Sequence, residues 1–240
     1  MYKQKTNLIN LLIFSLSMGF LESIVVIYLR HIYYPEGFYF PLKILPLYDL
    51  RFEYLREAST IIMLTCISMI AGGTFFERFA YFLFCFGLWD IFYYIGLKLL
   101  IDWPSSLFSW DVLFLIPFVW LAPVVAPIIC ATIMVVLSFI ILYSLRKNEN
   151  RIIINKIDAS LFIIGASLIF LSFIWDTMNF ILTYNIFKKP YINKFIFEYQ
   201  NYLRDFIPST FRWDFYLMGI ILILLSSTLF FIRQYKHNVT

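Results

Sequence analysis

The chain has 240 residues, of which 62% are hydrophobic, 21% aromatic and only 14% charged. An average soluble domain is about half apolar and about a quarter charged, so this composition excludes a water-soluble globule, a disordered chain, collagen and a disulfide scaffold. The formal net charge of +4 comes without a basic cluster, which argues against a nucleic-acid partner.

A membrane-spanning helix needs about 20 mainly apolar residues. Six stretches qualify, roughly 8–30, 56–75, 79–99, 110–144, 158–184 and 214–233. The expected fold is therefore all-α, a polytopic integral membrane bundle of six transmembrane helices. The first stretch follows Lys3 and Lys5 and lacks a small-x-small cleavage site, so it reads as a retained helix rather than a signal peptide. The fourth is too long for one straight span at about 1.5 Å rise per residue. It carries Pro117, Pro123 and Pro127, each of which removes a helical hydrogen bond, so a kinked or broken helix or a re-entrant half-helix is expected there. Between the last two spans, Ile192, Phe195, Ile196, Tyr199, Leu203 and Phe206 recur at helical spacing. Lys194, Glu198, Arg204 and Asp205 fall between them, the pattern of an amphipathic helix lying at the membrane interface with lipid as its partner.

Lysine and arginine density orients the bundle. With the N-terminus inside, the inner segments hold Lys3, Lys5, Arg78, Arg146, Lys147, Arg151, Lys156, Arg233 and Lys236, at about twice the density of the outer segments. The expected setting is a bacterial inner membrane with both termini inside. Only Glu77, Glu149 and Asp158 of the fifteen acids then fall on the inner side.

Self-similarity suggests an internal repeat. Trp89-Asp90, Trp110-Asp111, Trp175-Asp176 and Trp213-Asp214 mark the third to sixth spans. The approach Pro104-Ser105-Ser106-Leu107-Phe108-Ser109 to one pair resembles Pro208-Ser209-Thr210-Phe211-Arg212 before another. A weaker copy aligns Gly19-Phe20-Leu21-Glu22 with Gly87-Leu88-Trp89-Asp90. The units would be two-helix hairpins over 8–75, 79–144 and 158–233, all running in the same sense.

Glu22, Asp90 and Asp176 sit within apolar spans, where an acid costs about 2.5–3.5 kcal/mol and normally faces a wet cavity or the bundle interior. Glu57, Asp111 and Asp214 open the even-numbered spans, where a negative side chain also suits a helix N-terminus. Ser172, Asp176, Asn179 and Thr183 share one helical face, as do Ser15, Gly19 and Glu22, and as do Gly87, Asp90 and Tyr93 or Tyr94. The expected ligand-binding set is Glu22, Asp90, Tyr93, Tyr94, Asp111, Asp176, Asn179 and Asp214.

His31 and His237 are the only histidines, and no zinc-protease, nucleophile-elbow or phosphate-loop motif is present. Cys66, Cys85 and Cys130 lie in apolar runs and read as small hydrophobes. No cofactor is expected, and a metal would have to be an oxygen-ligated divalent cation such as calcium, magnesium or manganese. Three functions follow. The first is binding or translocation of a cation or cationic small solute through an outward-facing, acid-lined cavity. The second is an intramembrane enzyme acting on a lipid or lipid-linked substrate. The third is a structural or assembly subunit, or an oligomer, whose acids pair with Arg30, Arg56, Lys98, Arg204 or Arg212.

Overall fold

A computed structural model describes residues 2–43, 45–148, 152–183, 204, 207, 208 and 210–236. The helix expected between Tyr191 and Phe206 lies outside the described residues except at Arg204. Six long helices dominate: α1 (Tyr2–Tyr33), α2 (Leu47–Ala71), α3 (Phe75–Ile101), α4 (Val125–Lys147), α5 (Lys156–Thr183) and α6 (Trp213–Lys236). All six are long and apolar enough to cross a membrane, and the protein is an all-α six-helix membrane bundle.

The stretch 110–144 is not one kinked helix. Its first part forms a short antiparallel hairpin, β1 (Trp110–Phe114) and β2 (Trp120–Pro123), and the helix starts only at Val125. Trp110 pairs with Pro123, Asp111 with Ala122 and Val112 with Leu121, and a bulge then sets Phe114 opposite Trp120. The prolines sit where a missing N–H costs least. Pro117 is in the connection, Pro123 ends β2, and Pro127 lies in the first turn of α4, whose amides have no intrahelical partner. Trp110-Asp111 therefore rides on a strand while Trp213-Asp214 opens a helix, so these two matched pairs adopt different backbones.

The second span also begins earlier than residue 56, at Leu47, because Asp49, Arg51 and Glu53 interrupt its apolar run without breaking the helix. It ends at Ala71. Thr74 then caps α3: its hydroxyl accepts from the Glu77 N–H, and the Glu77 carboxylate accepts from the Gly73 and Thr74 amides.

Small residues set the helix spacing, as is usual where no water drives helices together. A Cβ on Gly165 of α5 would stand 2.8 Å from the Gly219 carbonyl oxygen of α6, and one on Gly219 2.6 Å from that of Gly165. On α3, Gly87 meets the Ala131 carbonyl of α4, and Gly96 meets the Ser23 hydroxyl of α1. Gly19 of α1 lies against the Trp89 carbonyl in turn. Helix α3 is thus the hub for α1, α2 and α4, while α5 and α6 form a second tight pair joined to it through α4. At the end where α4 and α6 finish, Arg233 grips the Asp158 carboxylate with two bonds of 3.0 and 3.1 Å, and Asn148 donates to Gln234.

The hairpin is wedged among α2, α3 and α5, and its unpaired backbone groups are met by side chains from two of them. The Glu57 carboxylate accepts from the Leu115 and Ile116 amides at 2.9 to 3.2 Å. Thr177 donates to the Val119 carbonyl at 2.9 Å. Glu57→Ala removes the acceptor of two partly buried amides, a loss of about 0.5–1.5 kcal/mol for each bond. It should lower the unfolding midpoint of purified protein markedly, with Glu57→Gln intermediate because one acceptor oxygen remains; circular dichroism melts in detergent check this.

Candidate functional site

A cavity of about 580 Å³ opens beneath the hairpin, between α1, α2 and α3 and reaching α4 and α5. Its charged lining comprises Glu22 and Arg30 from α1, Arg51, Glu53, Arg56 and Glu57 from α2, Asp90 from α3, Asp111 from β1, and Lys43. The close α1–α3 crossing at Gly19 and Gly96 brings Glu22 and Asp90 to the same space.

Most of these charges are already spoken for. Arg56 bonds Glu22, bonds Glu53 at 2.9 Å and stands 3.9 Å from Glu57, so one guanidinium serves three carboxylates from two helices. Arg30 reaches Asp111 at 3.2 Å, and the Tyr94 hydroxyl donates to the other Asp111 oxygen at 3.2 Å. The Arg30 guanidinium also stacks 3.7 Å from the centre of the Trp103 ring and 4.6 Å from that of Phe38. Asp111 lies outside the six spans. Burial pushes its carboxyl above the ordinary range, while Arg30, the Val112 amide and the Tyr94 hydroxyl pull the other way. Tyr33 donates to Asp49, closing α1 onto the start of α2.

Asp90 differs. Among the described residues it has neither a hydrogen-bond partner nor an ion-pair partner, and it lines the cavity. Trp89, Tyr93 and Tyr94 flank it along α3, and the two tyrosine rings meet edge to face at 4.8 Å between centres. Three buried donors on lining residues, Arg30 Nη1, Trp89 Nε1 and Trp120 Nε1, also find no acceptor.

Five of the eight sequence-predicted residues, Glu22, Asp90, Tyr93, Tyr94 and Asp111, thus come together at one cavity. Asp176, Asn179 and Asp214 do not belong to its lining. Asp176 is partly buried on α5 and Asn179 is exposed one turn further on. Asp214 is exposed and held by Arg212 through bonds of 2.9 and 2.6 Å, with the Arg212 guanidinium 4.1 Å from the Trp175 ring centre. From α5 the cavity takes Ile169 and Phe173, and Asp176, seven residues on from Ile169 along the same face, is not in its lining.

Arg30 and Arg56 are the site residues that acid-counting passes over, although the Glu53-x-x-Arg56-Glu57 spacing carries a local signal for a shared ion pair. Among the described residues no group of three or more histidines, cysteines, aspartates or glutamates is arranged to hold a metal ion. Comparison with protein-family models, with curated proteins and with solved structures finds no match.

Removing one member of a buried ion pair typically costs about 3–5 kcal/mol, because the other is left charged and unpaired. Arg30→Met should therefore destabilise strongly, and adding Asp111→Asn should restore most of the loss. A double-mutant cycle from denaturant unfolding in mixed micelles measures the coupling.

Proposed function

We propose that the protein binds, and through that binding translocates, a cation or cationic small solute in the cavity beneath the hairpin. The observation that carries this reading is the unmatched Asp90. Of the five acids on the cavity wall, three share Arg56 and one takes Arg30, while Asp90 has no counter-charge among the described residues. A carboxylate within an apolar helix is costly unless something neutralises it, and a bound cation does so. The paired acids hold the walls and are not the binding group. This narrows the acid-lined cavity expected from the sequence to one acid, Asp90, beside four that arginine engages.

An intramembrane enzyme acting on a lipid-linked substrate is the rival. The apolar walls, among them Leu113, Phe114, Phe118 and Met134, speak for it. Against it, acid–base chemistry by two carboxylates needs a second acid free to exchange protons. The remaining cavity acids are engaged by arginine.

The test is thermal unfolding of purified protein against potassium, magnesium, calcium, manganese and ammonium-type cations, wild type beside Asp90→Asn. A ligand present at 100 times its Kd stabilises the native state by about 2.7 kcal/mol. At least one cation should raise the midpoint of wild type and leave Asp90→Asn unmoved. If every cation acts equally on both proteins, Asp90 is not a cation site and the proposal fails.

A further inference from the structure

Resting on the reading of Asp90 as a cation site, we infer that the cavity takes an organic monocation, an ammonium group carried on an apolar body, rather than an inorganic ion. Size is the first argument. The cavity measures about 580 Å³, inside the range of about 300–1,000 Å³ that accommodates organic ligands. A dehydrated metal ion would occupy a small corner of it. Calcium requires about 6–8 oxygen ligands held close together, and the described residues offer no such cluster.

The walls are the second argument. Away from the charged rim, Val26, Leu29, Leu113, Phe118, Met134 and Phe173 line the space, and a strongly hydrated ion gains nothing from such surfaces. An alkyl or aryl body would gain about 25 cal/mol for each Å² it removes from water. Around Asp90 the surfaces are aromatic, and the faces of tryptophan and tyrosine attract ammonium groups. The protein already seats its own cations this way on the same cavity wall. Arg30 lies against Trp103 and Phe38, and Lys43 lies 5.6 Å from the Tyr34 ring centre and 5.9 Å from that of Tyr39.

Charge count is the third argument. The lining carries five carboxylates and four cations, Arg30, Lys43, Arg51 and Arg56, so its formal excess is one negative charge, which matches one positive charge and leaves a second unmatched. A monoamine therefore fits better than a diamine of the same length.

The experiment uses the full chain in phosphatidylcholine nanodiscs and reads the shift in unfolding temperature. The probes are 2-phenylethylammonium, tetrapropylammonium, 1,6-diaminohexane, the neutral 2-phenylethanol, potassium and magnesium. Both organic monocations should stabilise wild type, and at least tenfold higher concentrations should be needed with Asp90→Asn. The diamine and the neutral alcohol should be at least tenfold weaker than the monocations on wild type. Met134→Trp fills cavity space while keeping the Asp90 carboxylate and should weaken the organic cations likewise, so it decides the matter even if Asp90→Asn fails to fold. Stabilisation by potassium or magnesium through Asp90, with no effect of the organic cations, overturns this inference and leaves the cation site standing. Organic cations that act equally on Met134→Trp and wild type also overturn it. Organic cations that stabilise wild type and Asp90→Asn equally, or no shift with any probe, overturn both the inference and the cation site.

Discussion

A backbone that leaves the helical path among packed helices must find a partner for every N–H and C=O that it takes out of water. Residues 110–123 meet that demand in three ways. The strands pair with each other, Glu57 takes the amides at the end of β1, and Thr177 takes the Val119 carbonyl. The rest of the site follows from this arrangement. Because Glu57 is committed to the hairpin, Arg56 beside it is positioned to gather Glu22 and Glu53. Because β1 is held in place, Asp111 is presented to Arg30 and Tyr94. The hairpin roofs the cavity and also settles which acids are neutralised around it.

Buried ion pairs are weak sources of stability, because removing two charges from water cancels most of their attraction. Here they do something different. Arg30 and Arg56 tie α1, α2 and the hairpin around a space that would otherwise collapse under apolar packing. The glycine contacts between α1 and α3 fix the crossing that sets the width of that space.

Most of the bundle was legible in the sequence, since six apolar runs read directly as six spans. The misreading over 110–124 has a physical cause. Trp110, Val112 and Phe114 alternate with Asp111 and Leu113, yet they run straight into the apolar start of α4, so the period of two is swamped by a longer hydrophobic stretch. The early start of α2 was hidden because its first turns carry Asp49, Arg51 and Glu53, which hydropathy reads as loop. In the site, Glu22, Asp90 and Asp111 could be found because an acid in an apolar run stands out. The role of Glu57 could not, since its partners are backbone amides 58 and 59 residues away that no residue pattern advertises. Nor does periodicity say how far along α5 the cavity extends: Ile169 and Phe173 line it, and Asp176 and Asn179 do not.

The length of chain between partners also imposes an order in time. Arg30 is made 81 residues before Asp111, and Glu57 is made 58 residues before the amide of Leu115. During synthesis α1 and α2 therefore emerge carrying charges whose partners do not exist. Glu22 and Arg56 can neutralise each other at once, but the carboxylate that Arg30 binds and the amides that Glu57 accepts from arrive only with the hairpin. The cavity is consequently a late product of assembly, completed only when the middle of the chain returns to close over its beginning.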